Sequence, residues 1–178
     1  FIETHKDKPF LVYLSHYAVH NPMQAKAKLI EKYKAKAAGL PRSTGPEILP
    51  GKKGRQVQNQ PVYAAMIESL DESIGRLANR LNELKLDQNT IVMFMSDNGG
   101  LSTSEGTPTS NLPLLAGKGW LYDGGVREPM IIKAPGVTEA GSLCNTPVIS
   151  TDFYPTILEL AGLPLKPKQH VDGVSLVQ

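Results

Sequence analysis

Two short apolar runs, residues 9–15 (PFLVYLS) and 90–95 (TIVMFM), stand on either side of a long amphipathic repeat, and no other feature constrains the fold so tightly. Side chains apolar at successive rather than alternate positions are the pattern of a strand buried on both faces, as in a parallel sheet covered by helices. Between the runs Ile67, Leu70, Ile74, Leu77, Leu81 and Leu84 recur at alternating intervals of three and four. That spacing predicts a helix with one face against the sheet, and Pro61 suits its first turn. Strand, helix, strand in this order makes a right-handed crossover the default, and the expected class is α/β.

The remaining segments fit the same class. Residues 25–38, rich in Ala, Lys, Leu and Glu and followed by Gly39, predict a second helix with its lysines on a solvated face. Residues 40–60 hold three prolines, three glycines and the cations Arg42, Lys52, Lys53 and Arg55 without a hydrophobic period, and read as a long polar loop. A Gly/Ser/Thr/Pro-rich stretch covers 101–113, and 130–134 (MIIKA) predicts a third short strand closed by Pro135-Gly136. Ser150 or Thr151 can cap a helix over 152–161, with Gly162 at its end and Pro164 preventing continuation. Neither an internal repeat nor a linker is visible, so residues 1–178 are expected to form one domain. Phe1-Ile2-Glu3-Thr4 shows no start methionine and no signal-peptide pattern, so the chain is expected to begin inside a longer protein.

Bulk properties exclude more than they identify. The formal net charge is +2, which makes no case for nucleic acid or a membrane surface, and no apolar run approaches the roughly 20 residues of a membrane-crossing helix. The lone Cys144 rules out an internal disulfide and a multi-cysteine zinc site. With no basic neighbour to activate it, Cys144 reads as a small core residue rather than a nucleophile.

Chemistry is therefore sought at strand ends, where ligands gather in open α/β sheets. Residues 15–20 (SHYAVH) and 96–100 (SDNGG) both begin there. Asp97 and Asn98 offer a carboxylate and an amide carbonyl, hard oxygen donors suited to Ca²⁺ or Mg²⁺, although the same four residues also make an ordinary strand-ending turn. Residues 117–129 (GKGWLYDGGVREP) place a cation between glycines. Lys118 could hold an oxyanion as a point charge or be simply solvated, while Arg127 suits a structural pairing with a carboxylate. His20 could give a proton to a leaving oxygen; His16 competes for that role, and either could be a turn residue. The cations of residues 42–55 could meet an anionic substrate or stay solvated.

Four blocks, PFLVYLSHYAVHNPMQ, the strand ending in SDNGG, GKGWLYDGGVREP, and STDFYPTILELAG followed by DGVSL, resemble the sulfatase family in their family order and over nearly the whole chain. The resemblance implies a partial alkaline-phosphatase/sulfatase-like sheet with flanking helices. It implies a bound Ca²⁺, sometimes Mg²⁺, and a formylglycine that attacks the sulfur of a sulfate ester. On matching positions Asp97 and Asn98 would be metal ligands, Lys118 would contact the sulfate, and His20 would stand near the leaving oxygen; His16 lies four residues too early. The family's C/S-x-P-x-R motif and its paired aspartates are absent, and are expected upstream of Phe1. Asp123 stands where the family commonly has glutamate. The expected activity is sulfate-ester hydrolysis by the full-length parent, secreted or periplasmic by resemblance, with the isolated chain inactive and prone to oligomerise through exposed apolar edges. The alternatives are a phosphoryl or phosphonate hydrolase of the same superfamily and a non-catalytic binding or structural module.

Overall fold

The longest element starts where its cap and its proline place it. Gln60 accepts a hydrogen bond from the Val62 N–H through its side chain at 2.9 Å, Pro61 occupies the first turn, and the helix runs Pro61–Glu83. The computed structural model describes residues 1–41, 45, 47–103, 105 and 107–177. Their elements, in chain order, are α1 (Ile2–His5), α2 (Ala27–Ala37), β1 (Glu47–Leu49), β2 (Lys52–Lys53), α3 (Pro61–Glu83), β3 (Val92–Met95), α4 (Asp123–Val126), β4 (Met130–Lys133) and α5 (Phe153–Leu160). Short 3₁₀ turns at Asp87–Asn89 and Ser150–Asp152 precede β3 and α5. The chain divides into two compact units, Phe1–Thr138 and Glu139–Gln178.

In the first unit α2 lies along α3. Leu29 from α2 and Ala65 and Met66 from α3 are buried. Two of the lysines expected on a solvated face stay exposed and also reach across, Lys26 to Glu72 at 2.8 Å and Lys32 to Glu68 at 2.6 Å. The expectation that one face of this helix packs on the sheet holds only toward its C-terminal end. There Ala78 and Leu81 line an apolar cleft with Val92, Phe94, Ile131 and Lys133.

The sheet departs from the crossover expected of it. β3 pairs with β4 in antiparallel register, Val92 opposite Lys133 and Phe94 opposite Ile131, and residues 9–15 join no ladder among the described residues. The predicted core strand is instead largely exposed, with Leu11 at 71% and Tyr13 at 91% of their full accessibility. A strand apolar at every position is stable only with neighbours on both edges and layers on both faces, and the described residues supply neither. For the same reason Phe94 and Ile131, in strands read as buried, remain exposed. The polar loop is also more ordered than expected, since β1 and β2 form a small antiparallel hairpin around Pro50-Gly51. Arg42 lies outside the described residues.

In the second unit neither Ser150 nor Thr151 caps the last helix. The buried Asp152 ties flanking segments instead: one carboxylate oxygen accepts from the Ile149 N–H at 2.9 Å, the other from the Val174 N–H at 3.0 Å. Thr156 donates to the Asp152 carbonyl and accepts from the Leu176 N–H, so STD and DGVSL are stitched into one piece. Cys144 is exposed, not a core residue, and hydrogen bonding to Thr146 pulls its thiol below the ordinary value.

Candidate active site

Beyond β3 the chain enters a set of glycine-tight loops. The Gly99 N–H donates to the Gly125 carbonyl at 3.0 Å, Gly124 N–H to Leu115 at 2.8 Å, and Lys118 N–H to Gly100 at 3.2 Å. A Cβ on Gly99 would fall inside the Gly124 carbonyl oxygen, so only glycine lets the SDNGG and DGG backbones approach this closely. Inside this knot Ser102 and Ala116 are buried, and the Ser102 hydroxyl donates to the Ala116 carbonyl at 2.7 Å. The Trp120 indole N–H donates to Thr103 at 3.0 Å and anchors the outer turn.

From this base Lys118 reaches the end of the first block. Its Nζ lies 2.7 Å from His20 Nε2, while His20 Nδ1 lies 2.8 Å from the Asn21 carbonyl oxygen. A carbonyl only accepts, so Nδ1 carries the hydrogen there and the neutral ring presents an Nε2 lone pair to the ammonium. The Tyr17 hydroxyl donates to the same Asn21 carbonyl at 3.2 Å, and the Asn21 amide donates to Glu105 at 2.8 Å. His16 goes elsewhere: its Nε2 pairs with Ser73 on α3 at 3.0 Å. Of the two histidines that the residues alone could not separate, His20 is the one beside Lys118.

Asp97 and Asn98 follow β3 directly, Asp97 exposed and Asn98 half-buried. Glu128, also half-buried, has its carboxyl pushed above the ordinary value by burial, with the negative charge of Asp97 adding. Asp97 and Asn98 bring a carboxylate and an amide carbonyl, hard oxygen donors of the kind Ca²⁺ or Mg²⁺ takes. Among the described residues no group of three or more His, Cys, Asp or Glu gathers that could hold a metal. Arg127 lies 3.6 Å from Asp123, both exposed, the structural pairing its sequence context suggested. Sequence reading missed Asn111, Ser102 and Glu128: the first two lie in an aperiodic Gly/Ser/Thr/Pro stretch, and nothing local marks them as site residues.

Loops beyond a strand end thus bring a cation and an imidazole together, an arrangement with the chemistry to receive an anion. The chain belongs to the sulfatase family, whose family model matches residues 1–163. It is 40% identical to a sulfatase of Formosa agariphila over 96% of its own length and 29% of that protein's. Arylsulfatase J of Mus musculus is 31% identical over 95% of the chain and 25% of the relative. Among solved structures, that of Ps i-CgsB in complex with k-i-k-neocarrahexaose superposes with a TM-score of 0.76 at 32% identity, covering 98% of this chain and 34% of that one. The chain thus spans about a third or less of the proteins it matches, and its partial α/β architecture is that of the sulfatase fold.

Proposed function

We propose that this chain supplies the sulfate-facing half of a sulfuric ester hydrolase site, completed in its parent protein by a formylglycine nucleophile and further metal ligands. The observation that carries this reading is the 2.7 Å contact of Lys118 Nζ with His20 Nε2, within loops knotted to SDNGG. Lys118 binds a sulfate oxygen as a fixed positive charge, in place before reaction and therefore effective against charge that develops in the transition state. His20, its ring held by the Nδ1–H bond to Asn21, keeps Nε2 beside Lys118 as acceptor of its ammonium; once Lys118 turns to the sulfate, Nε2 takes up a proton from solvent and gives it to the departing ester oxygen. Asp97 and Asn98 would hold Ca²⁺ or Mg²⁺, which when bound supplies Lewis-acid charge at the sulfate. Glycine-tight backbone keeps these side chains in register.

A sulfated saccharide is the first substrate to try, since Ps i-CgsB, similar in structure, was solved with a carrageenan oligosaccharide. A secreted or periplasmic parent is proposed on family grounds alone.

The test uses the full-length parent with an aryl sulfate. Lys118→Ala and His20→Ala should each lower kcat/KM by about 10²-fold or more, and His16→Ala by far less. Asp97→Ala should weaken Ca²⁺ binding measured by calorimetry. Unchanged turnover in both Lys118→Ala and His20→Ala would remove the proposed roles. A parent that prefers phosphate monoesters would replace the reading with a phosphoryl hydrolase.

A further inference from the structure

One side chain outside the proposed chemistry ties together the segments that flank Asn98 and Lys118. The amide nitrogen of Asn111 lies 2.8 Å from the Gly100 carbonyl, 3.0 Å from that of Ala116, 3.1 Å from that of Gly124 and 3.3 Å from the Ser102 hydroxyl. Three of these partners are carbonyls, which only accept, so the nitrogen rather than the oxygen must face them. They come from three different segments: two residues after Asn98, two residues before Lys118, and the DGG turn. The Gly100 carbonyl also accepts from the Lys118 N–H at 3.2 Å, so Asn111 and the Lys118 backbone share an acceptor. The fit is close on the other side as well, since a Cβ on Gly117 would come within 2.6 Å of the Asn111 nitrogen. Two amide hydrogens thus serve a nest of converging carbonyls, those of Ala116 and Gly124 in buried residues.

We infer that Asn111 is a positioning residue: it fixes the Lys118 loop against the Asp97-Asn98 loop and so sets where the Lys118 ammonium stands relative to His20. The inference rests on the site proposed above. Misplacing a charged group by about 1 Å costs on the order of 10²-fold in rate, and Asn111 acts on the reaction only through that displacement.

The experiment is a double-mutant cycle in the full-length parent, with sulfate-ester turnover and inorganic sulfate binding as readouts. Asn111→Ala should lower kcat/KM by about 10- to 10²-fold and weaken inorganic sulfate binding in parallel. In a Lys118→Ala background the same change should cost no more than about twofold, because coupled residues are not additive. An equal loss in both backgrounds would mean that Asn111 serves stability alone, and the inference would fall. If Asn111→Ala does not fold, Ser102→Ala decides, since it removes the second donor to the Ala116 carbonyl. Its loss should likewise vanish in the Lys118→Ala background, and full activity in Ser102→Ala would overturn the inference. A wild type that binds sulfate without hydrolysing any ester would refute the sulfatase reading and leave Asn111 to be judged on sulfate affinity. One that does neither would refute both.

Discussion

At the scale of single residues, the site is a backbone construction on which a few side chains are mounted. Gly99 shows this most directly: the atoms nearest its added Cβ would be main-chain atoms of Gly124 and Gly125, which cannot swing aside as a side chain would. Gly99→Ala should therefore destabilise the first unit by about 1–3 kcal/mol, read as a lower denaturant midpoint, and should weaken any sulfate binding with it. A variant as stable as wild type would show that the loops can separate freely. In the second unit the comparable residue is Asp152, whose two oxygens satisfy two backbone donors from segments more than twenty residues apart. Asp152→Ala leaves those part-buried donors without that acceptor, for a loss of about 1 kcal/mol. Limited proteolysis should then cut residues 163–177 faster, and an unchanged cleavage rate would mean that the C-terminal segment is held by packing alone.

Among elements, the contact of α2 with α3 is the one whose strength should follow pH. The Lys32 hydrogen bond holds the Glu68 carboxyl below its ordinary value against the opposing effect of burial, helped by the Tyr33 hydroxyl and by the charges of Lys32 and Lys26. A carboxyl depressed in the folded state contributes stability that is present above the ordinary carboxylate range and lost as pH falls through the lowered value. At the other extreme Lys32, raised chiefly by the same hydrogen bond, gives up its share as pH rises through the raised value. Thermal unfolding of wild type and Glu68→Gln should therefore differ near neutrality and converge in acid. Parallel curves across the whole acid range would show that the pair contributes nothing, as exposed ion pairs often do. Both helices were legible in advance, α3 through its alternating three-and-four spacing with Pro61 and α2 through composition and Gly39. Their mutual packing was not, because a stripe of apolar residues states that a face will be covered and not what will cover it.

On the scale of the whole chain, apolar surface is the dominant unspent quantity. Leu11, Tyr13 and Leu14 in the first block and Phe94 and Ile131 across the β3–β4 ladder are all exposed. Contiguous apolar surface at an unpaired strand is a template for association. The 178-residue chain on its own should accordingly show concentration-dependent self-association by sedimentation velocity, reduced in a Leu11→Lys, Tyr13→Lys double variant. A monodisperse monomer at high concentration would refute that expectation.

Local patterns sufficed for α2, α3 and α5, though not for the short α1 and α4, for the two short strands at 92–95 and 130–133, for the α/β class, and, through block order, for family membership. Each of those is decided by neighbours along the chain or by residues that can be matched one at a time. Tertiary structure alone decided that β3 pairs with β4 antiparallel and that residues 9–15 stay outside a ladder, and it put His20, which block matching had preferred to His16, against Lys118. It alone brought Asn111 to the carbonyls of Gly100, Ala116 and Gly124. Pairing partners and hydrogen-bond acceptors are chosen by proximity in space. A residue's type states what it can donate or accept, and the path of the backbone determines what stands within reach.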